Sequence, residues 1–387
     1  MKYKLASSSW DEKEKKALYE VIESNFFTMG AKTLQFENDF SNYINVKYSV
    51  MVNSGSSANL LMVAALLYSK KFSLDEASEV IVPAVSWSTT YFPFHQCNFK
   101  IRFVDIDKET FNIGIKEIIS GITNRTKIIC AVNLLGNPCE YDELINICKE
   151  KNIILLEDNC ESLGAKYKNQ IAGSFGLMST HSFFFSHHIS TMEGGMISTN
   201  DEELYQILLS LRAHGWTRNL PQNNLITNKK NNNEFYELFN FILPGYNLRP
   251  IELEAAVGIK QLEKIDTIVS NRRKNAEYFK NKFQESKIFK LQTETEESSW
   301  FGFGVKFKKT DVRNYNIEIY KNCGIECRPI VAGNFTKNPV IKYLKYTIHG
   351  ELVNSNYIHD YGIFFGNSHE DLTLEIDYLH EMTKESK

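Results

Sequence analysis

The sequence predicts an α/β protein: a parallel sheet covered on both faces, followed by a smaller second domain of mixed α and β. Three observations carry this. Short apolar segments alternate with helix-like stretches through the first half of the chain. Those segments are continuously apolar, as strands buried on both faces are. Polar, glycine-bearing motifs follow several of them, and ligands in such sheets bind beyond the strand C-terminal ends.

Taken in order, Asp11 to Ser24 reads as a charged helix. Thr33 to Asn45 reads as a second, with Phe36, Phe40 and Tyr43 near helical spacing. Tyr48 to Val52 is an apolar strand, and Asn59 to Tyr68 a helix. Val80 to Val82 is a strand closed by Pro83. Ile101 to Val104, Ile128 to Val132 and Ile153 to Leu156 are further strands with helix-like segments between them. Ser182 to Phe185 reads as an aromatic strand. Asn219 to Glu237, with its Asn-rich and Pro-containing runs, reads as a loop. Pro250 to about Glu285 reads as one or two long helices, with Pro250 suited to a first turn. Residues 1–245 are expected to form the large domain and 246–387 the small one. No solenoid repeat is visible.

Composition narrows the function. The chain has 387 residues, 43% hydrophobic and 24% charged, with a formal net charge of −3. That excludes collagen-like, disordered and supercharged classes. The mild negative balance gives no electrostatic case for nucleic acid or an acidic membrane. The first residues lack a continuous apolar segment, and no apolar run approaches the roughly 18 residues of a spanning helix. A soluble, cytoplasmic protein is expected. The seven cysteines include no Cys-x-x-Cys pair, and their odd number argues against a disulfide framework.

Four segments carry chemistry. Asn53-Ser-Gly-Ser-Ser-Ala58 lies between a strand and a helix, where free amides and hydroxyls suit a phosphate; an ordinary turn or helix cap has the same composition. Pro83-Ala-Val-Ser-Trp-Ser-Thr-Thr90 places Trp87 after a strand end, either as a stacking ring or as a core residue. Leu155-Leu-Glu-Asp-Asn-Cys160 sets two carboxylates at a strand end. A buried Asp158 there needs a cation such as a protonated pyridine nitrogen, or serves as a capping acid. Ser182-Phe-Phe-Phe-Ser-His-His-Ile-Ser-Thr-Met-Glu-Gly-Gly195 brings two adjacent histidines to a turn, as acid/base candidates. No metal is expected, because no ligand set stands at metal spacing near them.

The order of these segments resembles the sugar aminotransferase family, pyridoxal-phosphate enzymes of the aspartate-aminotransferase-like fold type I that act on nucleotide-linked ketosugars. The resemblance extends to Phe103-Val-Asp-Ile-Asp107, Asn133-Leu-Leu-Gly-Asn-Pro138, Leu211-Arg-Ala-His-Gly215 and Gly245-Tyr-Asn-Leu-Arg249. It implies a large domain with a mixed, mostly parallel sheet and a small α+β domain. In that family the cofactor lysine stands six residues before the Glu of Glu-Gly-Gly. Here that position is His187, before Glu193. An imidazole cannot make the lysine's stable bond to the cofactor aldehyde, so ordinary transamination of the sugar is not expected.

The exchange is similar to that in the family's 3-dehydratase branch. Some members of that branch carry an iron–sulfur cluster and use a reductase. Such a cluster needs several thiolates, and after Cys160 only Cys323 and Cys327 remain. The resemblance is therefore to the cluster-free kind, with no reductase partner. It continues through Arg212 to Asn219, Leu243 to Pro250, Ser298 to Phe303 and Arg328 to Phe335.

The implied cofactor is pyridoxal 5'-phosphate and its amine form, pyridoxamine 5'-phosphate, regenerated by L-glutamate. The implied substrate is a nucleotide-linked 4-keto-6-deoxyhexose, GDP-linked in preference; a heptose or dTDP-linked sugar is the alternative. By the same resemblance His187 is the catalytic base. Ser56, Ser57 and Ser182 form the phosphate cradle, Trp87 stacks on the ring and Asp158 holds its nitrogen. Glu161 stands where many members have Gln. Asn247 reaches a neighbouring subunit's phosphate, which implies a homodimer. His214, Arg218, Arg249 and Arg328 are substrate candidates. A non-catalytic binding homologue is the rival reading; retention of Asp158, the serine pair and Glu-Gly-Gly argues against it.

Overall fold

The computed structural model describes residues 2–383. Its strands are β1 (Tyr48–Val52), β2 (Glu79–Pro83), β3 (Lys100–Val104), β4 (Thr126–Val132), β5 (Ile154–Asp158), β6 (Met178–Ser182) and β7 (Gly195–Thr199). Later come β8 (Phe289–Leu291), β9 (Gly302–Phe307), β10 (Cys327–Arg328), β11 (Tyr346–Ile348) and β12 (Gly362–Gly366). One eight-stranded sheet has the order β1-β7-β6-β5-β4-β2-β3-β11, and a four-stranded sheet the order β8-β9-β12-β10.

From β6 to β11 the large sheet is parallel. At its other end β7 runs antiparallel to both β6 and β1. The reason is local. β6 and β7 are joined by the turn 183–194 rather than by a helical crossover, so the chain comes back antiparallel.

The helices of the first part are α1 (Glu12–Ser24), α2 (Ala31–Ile44), α3 (Gly55–Leu66), α4 (Ser88–Gln96), α5 (Ile115–Gly121), α6 (Tyr141–Lys151) and α7 (Glu202–Arg212). Then come α8 (Glu252–Leu262) and the long α9 (Ile265–Phe283). Side chains alternate across each strand. Val80, Val82, Ile128, Cys130 and Leu156 pack with α3, α4 and α7. Ile81, Ile129, Ala131 and Leu155 pack with α5 and α6. Both faces are covered, which is why these strands are continuously apolar in sequence. The small sheet packs on Phe279 and Phe283 of α9, and Tyr3 joins the same core. Strand β11, late in the chain, returns to the edge of the large sheet beside β3.

Four local expectations need correction. Helix α3 begins at Gly55, not Asn59, because Ser54 caps it: the Ser54 Oγ accepts the Ser57 N–H at 3.1 Å. Pro250 lies outside α8, whose N-cap is Ile251. The segment 219–237 holds a two-residue hairpin pairing and the one-turn helix Glu234–Glu237. Strand β6 ends at Ser182, so Phe183 to Phe185 lie in the turn beyond it. Phe183 is buried against Phe36 and Phe40, while Phe184 and Phe185 are exposed.

A buried ion pair fastens the first elements together. Arg212 at the end of α7 pairs with Glu37 of α2, and its Nη1 also donates to the Met51 carbonyl at 2.7 Å. Glu37 in turn accepts the Met51 N–H at 2.8 Å. Removing one charge strands the other in the interior. Glu37→Leu is expected to cost about 3–5 kcal/mol of unfolding free energy in urea titrations, and the double change with Arg212→Met much less. Equal losses in the single and double variants would contradict this.

Burial also sets the acid response. It pushes His181 down to about 3, His187 down to about 4, and His188 well below its ordinary value of 6.5. Below about 6.5 the unfolded chain binds protons on these rings that the native state refuses. Stability from this source is complete above that pH and falls as the pH drops towards 4. His181→Leu removes one such ring, so its urea midpoint should decline less steeply between pH 6.5 and 4 than that of the parent. Identical slopes would contradict the assignment.

Candidate active site

The strand ends converge. Val132 of β4 stands opposite Asp158 of β5, and Asp158 opposite Thr180 of β6. The segments 133–136, 158–161 and Ser182 therefore leave the sheet at one edge. The first turn of α3 faces the same edge: a Cβ built on Gly55 would lie 2.5 Å from Ser182 Cβ. The Ser56 Oγ donates to Thr89 Oγ1 at 3.0 Å, which ties in the start of α4. Trp87 caps that helix and is 58% exposed, so it is not a core residue. Ser56, Ser57 and Ser182 thus surround a helix N-terminus whose first amides suit an anion. Gly195 closes the far side. A Cβ there would lie 2.3 Å from the Ser54 carbonyl oxygen, so only glycine lets the two backbones meet.

Strand alternation sends the two carboxylates of β5 to opposite faces. Glu157 accepts the backbone N–H groups of Gly173, Phe175 and Gly176 at 2.6–2.8 Å and closes that loop. Burial raises its pKa. Asp158 turns the other way and is also buried. Its Oδ2 accepts Thr90 Oγ1 at 2.7 Å and Asn59 Nδ2 at 3.0 Å; its Oδ1 accepts the Cys160 N–H at 3.2 Å. Asn59 Oδ1 accepts the Thr180 hydroxyl at 2.6 Å, so α3, β5 and β6 share one network. The capping role expected as an alternative is present, on Oδ1. Every donor to Asp158 is neutral, and among the described residues no cation pairs with it. A buried carboxylate in that state fits a protonated ring nitrogen.

His187 lies in the 183–194 turn, its backbone N–H donating to the Phe184 carbonyl at 2.9 Å. Its Nδ1 is buried without a partner. Loss of solvation lowers its pKa to about 4, with the Cys160 carbonyl opposing and the Arg272 charge adding to the fall. The imidazole is a free base at neutral pH. Its neighbour His188 is spent on structure: its Nε2 meets the Ser299 carbonyl at 3.0 Å. Glu161 accepts the Leu135 N–H at 2.8 Å, and burial with the nearby Asp158 charge pushes it up to about 7. Among the described residues no three His, Cys, Asp or Glu side chains gather as a metal-ligating group.

The substrate candidates divide. His214, Arg218 and Arg249 gather around Trp216, with the Arg218 guanidinium 4.1 Å and the Arg249 guanidinium 5.9 Å from the indole centroid. Asn247 accepts from Arg249 Nε at 3.0 Å. The adjoining Leu248 carbonyl accepts the Asn53 N–H at 3.1 Å, which brings this segment to the entrance of α3. Arg328 stands apart on β10, exposed, its guanidinium bonded to the carbonyl of Cys327. Sequence reasoning missed Asn59 and Thr90, which hold Asp158, and Trp216, which organises the arginines. Asn59 lies one turn beyond Ser56 on the same helix, a spacing that could have found it.

Residues 8–376 match the DegT/DnrJ/EryC1/StrS aminotransferase family. The chain is 53% identical over 385 residues to the GDP-4-keto-6-deoxy-D-mannose 3-dehydratase of Escherichia coli O55:H7, covering 99% of each. Two solved structures match at TM-score 0.97 and 53% identity, covering 99% of this chain and 100% of the other. One is GDP-4-keto-6-deoxymannose-3-dehydratase with a trapped PLP-glutamate geminal diamine. The other is a histidine-to-asparagine variant of that enzyme with bound GDP-perosamine. The architecture is thus the aminotransferase-like fold type I, a large mixed and mostly parallel sheet with a smaller α+β unit. The chain belongs to the DegT/DnrJ/EryC1/StrS aminotransferase family.

Proposed function

We propose that this protein is a PLP/PMP-dependent 3-dehydratase of GDP-4-keto-6-deoxymannose, releasing ammonia and a GDP-linked 4-keto-3,6-dideoxysugar of the colitose type. The observation that carries the reading is His187. An unprotonated imidazole occupies the family's lysine position while Asp158 and the serine-lined helix start are intact. The relative trapped with a PLP–glutamate adduct supports L-glutamate as the amino donor.

The bound cofactor supplies a ring that stabilises negative charge at the carbon losing a proton. The chain's residues do the rest. Ser56, Ser57 and Ser182 hold its phosphate with the α3 amides. Trp87, exposed at the start of α4, would stack on the ring. Asp158 keeps the ring nitrogen protonated, because an adjacent carboxylate favours the charged form. Glu161 would meet the polar edge of the ring. His187 takes the proton as a base and returns it to the leaving C3 hydroxyl as an acid; imidazole suits both duties. Arg218 and Arg249, with His214 beside them, would meet the sugar diphosphate, with Arg328 a further contact.

A homodimer is part of the reading. Phe235, Tyr236, Phe239 and Phe241 are all more than half exposed within seven residues, which supports an interface there. Asn247 would act across it. The division into 1–245 and 246–387 and a cytoplasmic location, where nucleotide sugars are made, complete the proposal. No reductase is needed.

The test supplies purified protein with pyridoxamine phosphate and GDP-4-keto-6-deoxymannose, and follows ammonia and the C3 oxygen by mass spectrometry. The parent should give ammonia and a 3-deoxy product. His187→Asn should lower the rate at least a hundredfold, in line with the loss of a general base. Unchanged turnover in that variant, or no turnover by the parent, would overturn the reading.

A further inference from the structure

Helix α9 carries a buried cation that the proposed chemistry does not use. Arg272 is 4% exposed, and among the described residues no carboxylate pairs with it. Burial lowers its pKa only to about 10, so it is charged at neutral pH. Its Nη1 donates to three main-chain carbonyl oxygens: Asn367 at 2.9 Å, Phe301 at 3.2 Å and Trp300 at 3.4 Å. Its Nε is buried without a partner. A buried guanidinium without a counter-ion is costly, so a reason for keeping it is needed.

Two of the carbonyls it grips, those of Trp300 and Phe301, belong to a strained corner. Trp300 has a φ of +49°, in the left-handed region. Beyond it, the Phe301 N–H donates to the Leu135 carbonyl at 3.0 Å. The Phe301 ring lies 5.1 Å from the His187 ring, tilted 46°, and 6.0 Å from that of His188. Phe364 backs it at 6.4 Å.

We infer that Arg272 is a positioning residue for His187: it seats Phe301 against the imidazole through the 300–301 carbonyls and sets a fixed positive charge beside it. The two effects act in one direction. The phenyl ring dries the imidazole, and the charge opposes a second positive charge nearby. Both histidines feel Arg272 in this sense, and His188 also feels Arg273. The segment leaving β5 faces His187 through Cys160, and Ser299 faces His188. The Cys160 carbonyl favours protonated His187, against Arg272. A base must be proton-free before it can accept a proton, and this arrangement secures that.

The inference rests on the dehydratase reading only for calling His187 a base. The test therefore reads the proton itself, in cofactor-free protein with isotope-labelled histidine. The His187 signal is assigned by its loss in His187→Asn, and followed by NMR from pH 5 to 9. The parent should stay neutral throughout. Arg272→Met should raise the midpoint by about one pH unit, bringing protonation into the window; Phe301→Leu should do so to a smaller extent. Arg272→Lys keeps the charge but not the three-carbonyl grip, and should fall between parent and Arg272→Met. In the loaded enzyme the acidic limb of the pH–rate profile should move in the same order. If Arg272→Met is folded and its His187 midpoint equals that of the parent, Arg272 is only structural and the inference fails. If Arg272→Met does not fold, Phe301→Leu decides by the same criterion. Lack of dehydratase turnover would leave this titration readable, so the two proposals fail separately.

Discussion

The carboxylate of Asp158 is the constraint around which the catalytic edge is built. It is buried, it has three neutral donors, and each donor comes from a different piece of the fold: Asn59 from α3, Thr90 from α4 and Cys160 from the turn after β5. Holding it requires the helix starts and the strand end to stand at fixed distances. The register of β4, β5 and β6 provides that. The parallel sheet is thus more than a scaffold, because its alternation separates Glu157, which closes a loop, from Asp158, which no cation among the described residues pairs.

A second constraint is the meeting of the two sheets. The Leu135–Gly136 segment leaves the large sheet and bonds to Ser299 and Phe301 at the start of the small one. Glu161 touches that bridge through Leu135, and His187 touches it through Phe301. Two titratable groups therefore sit on one seam with opposite tendencies: burial lifts Glu161 to about 7 and depresses His187 to about 4. The two groups are thus pushed in opposite directions across neutrality. Environments that separate two groups in this way mark acid–base sites.

Much of this was legible in the sequence because it depends on local pattern. Continuously apolar strands implied a sheet buried on both faces, and the cores on each side contain alternate residues of the same strands. The family resemblance drew attention to His187 through the absence of a lysine. The start of α3 was misjudged because Ser and Gly after a strand read as loop; a cap hydrogen bond from Ser54 is a geometric fact that composition does not show. The aromatic run after Ser182 looked like strand for the opposite reason. Its apolar character comes from a buried Phe183 and two exposed rings in a turn. Arg272 was invisible for want of any motif, and Phe301 stood in the matched Ser298 to Phe303 segment with no role that the sequence could assign. Both lie more than eighty positions from His187 in the chain.

The central claim is that the site holds its cofactor without a lysine and leaves an imidazole in that place. The most direct measurement treats protein and an equimolar amount of pyridoxal phosphate with borohydride, then reads the intact mass of the parent and of His187→Lys. The account predicts that the parent mass stays unchanged while the variant gains one cofactor. A parent chain that carries the cofactor on one of its own lysines would contradict it.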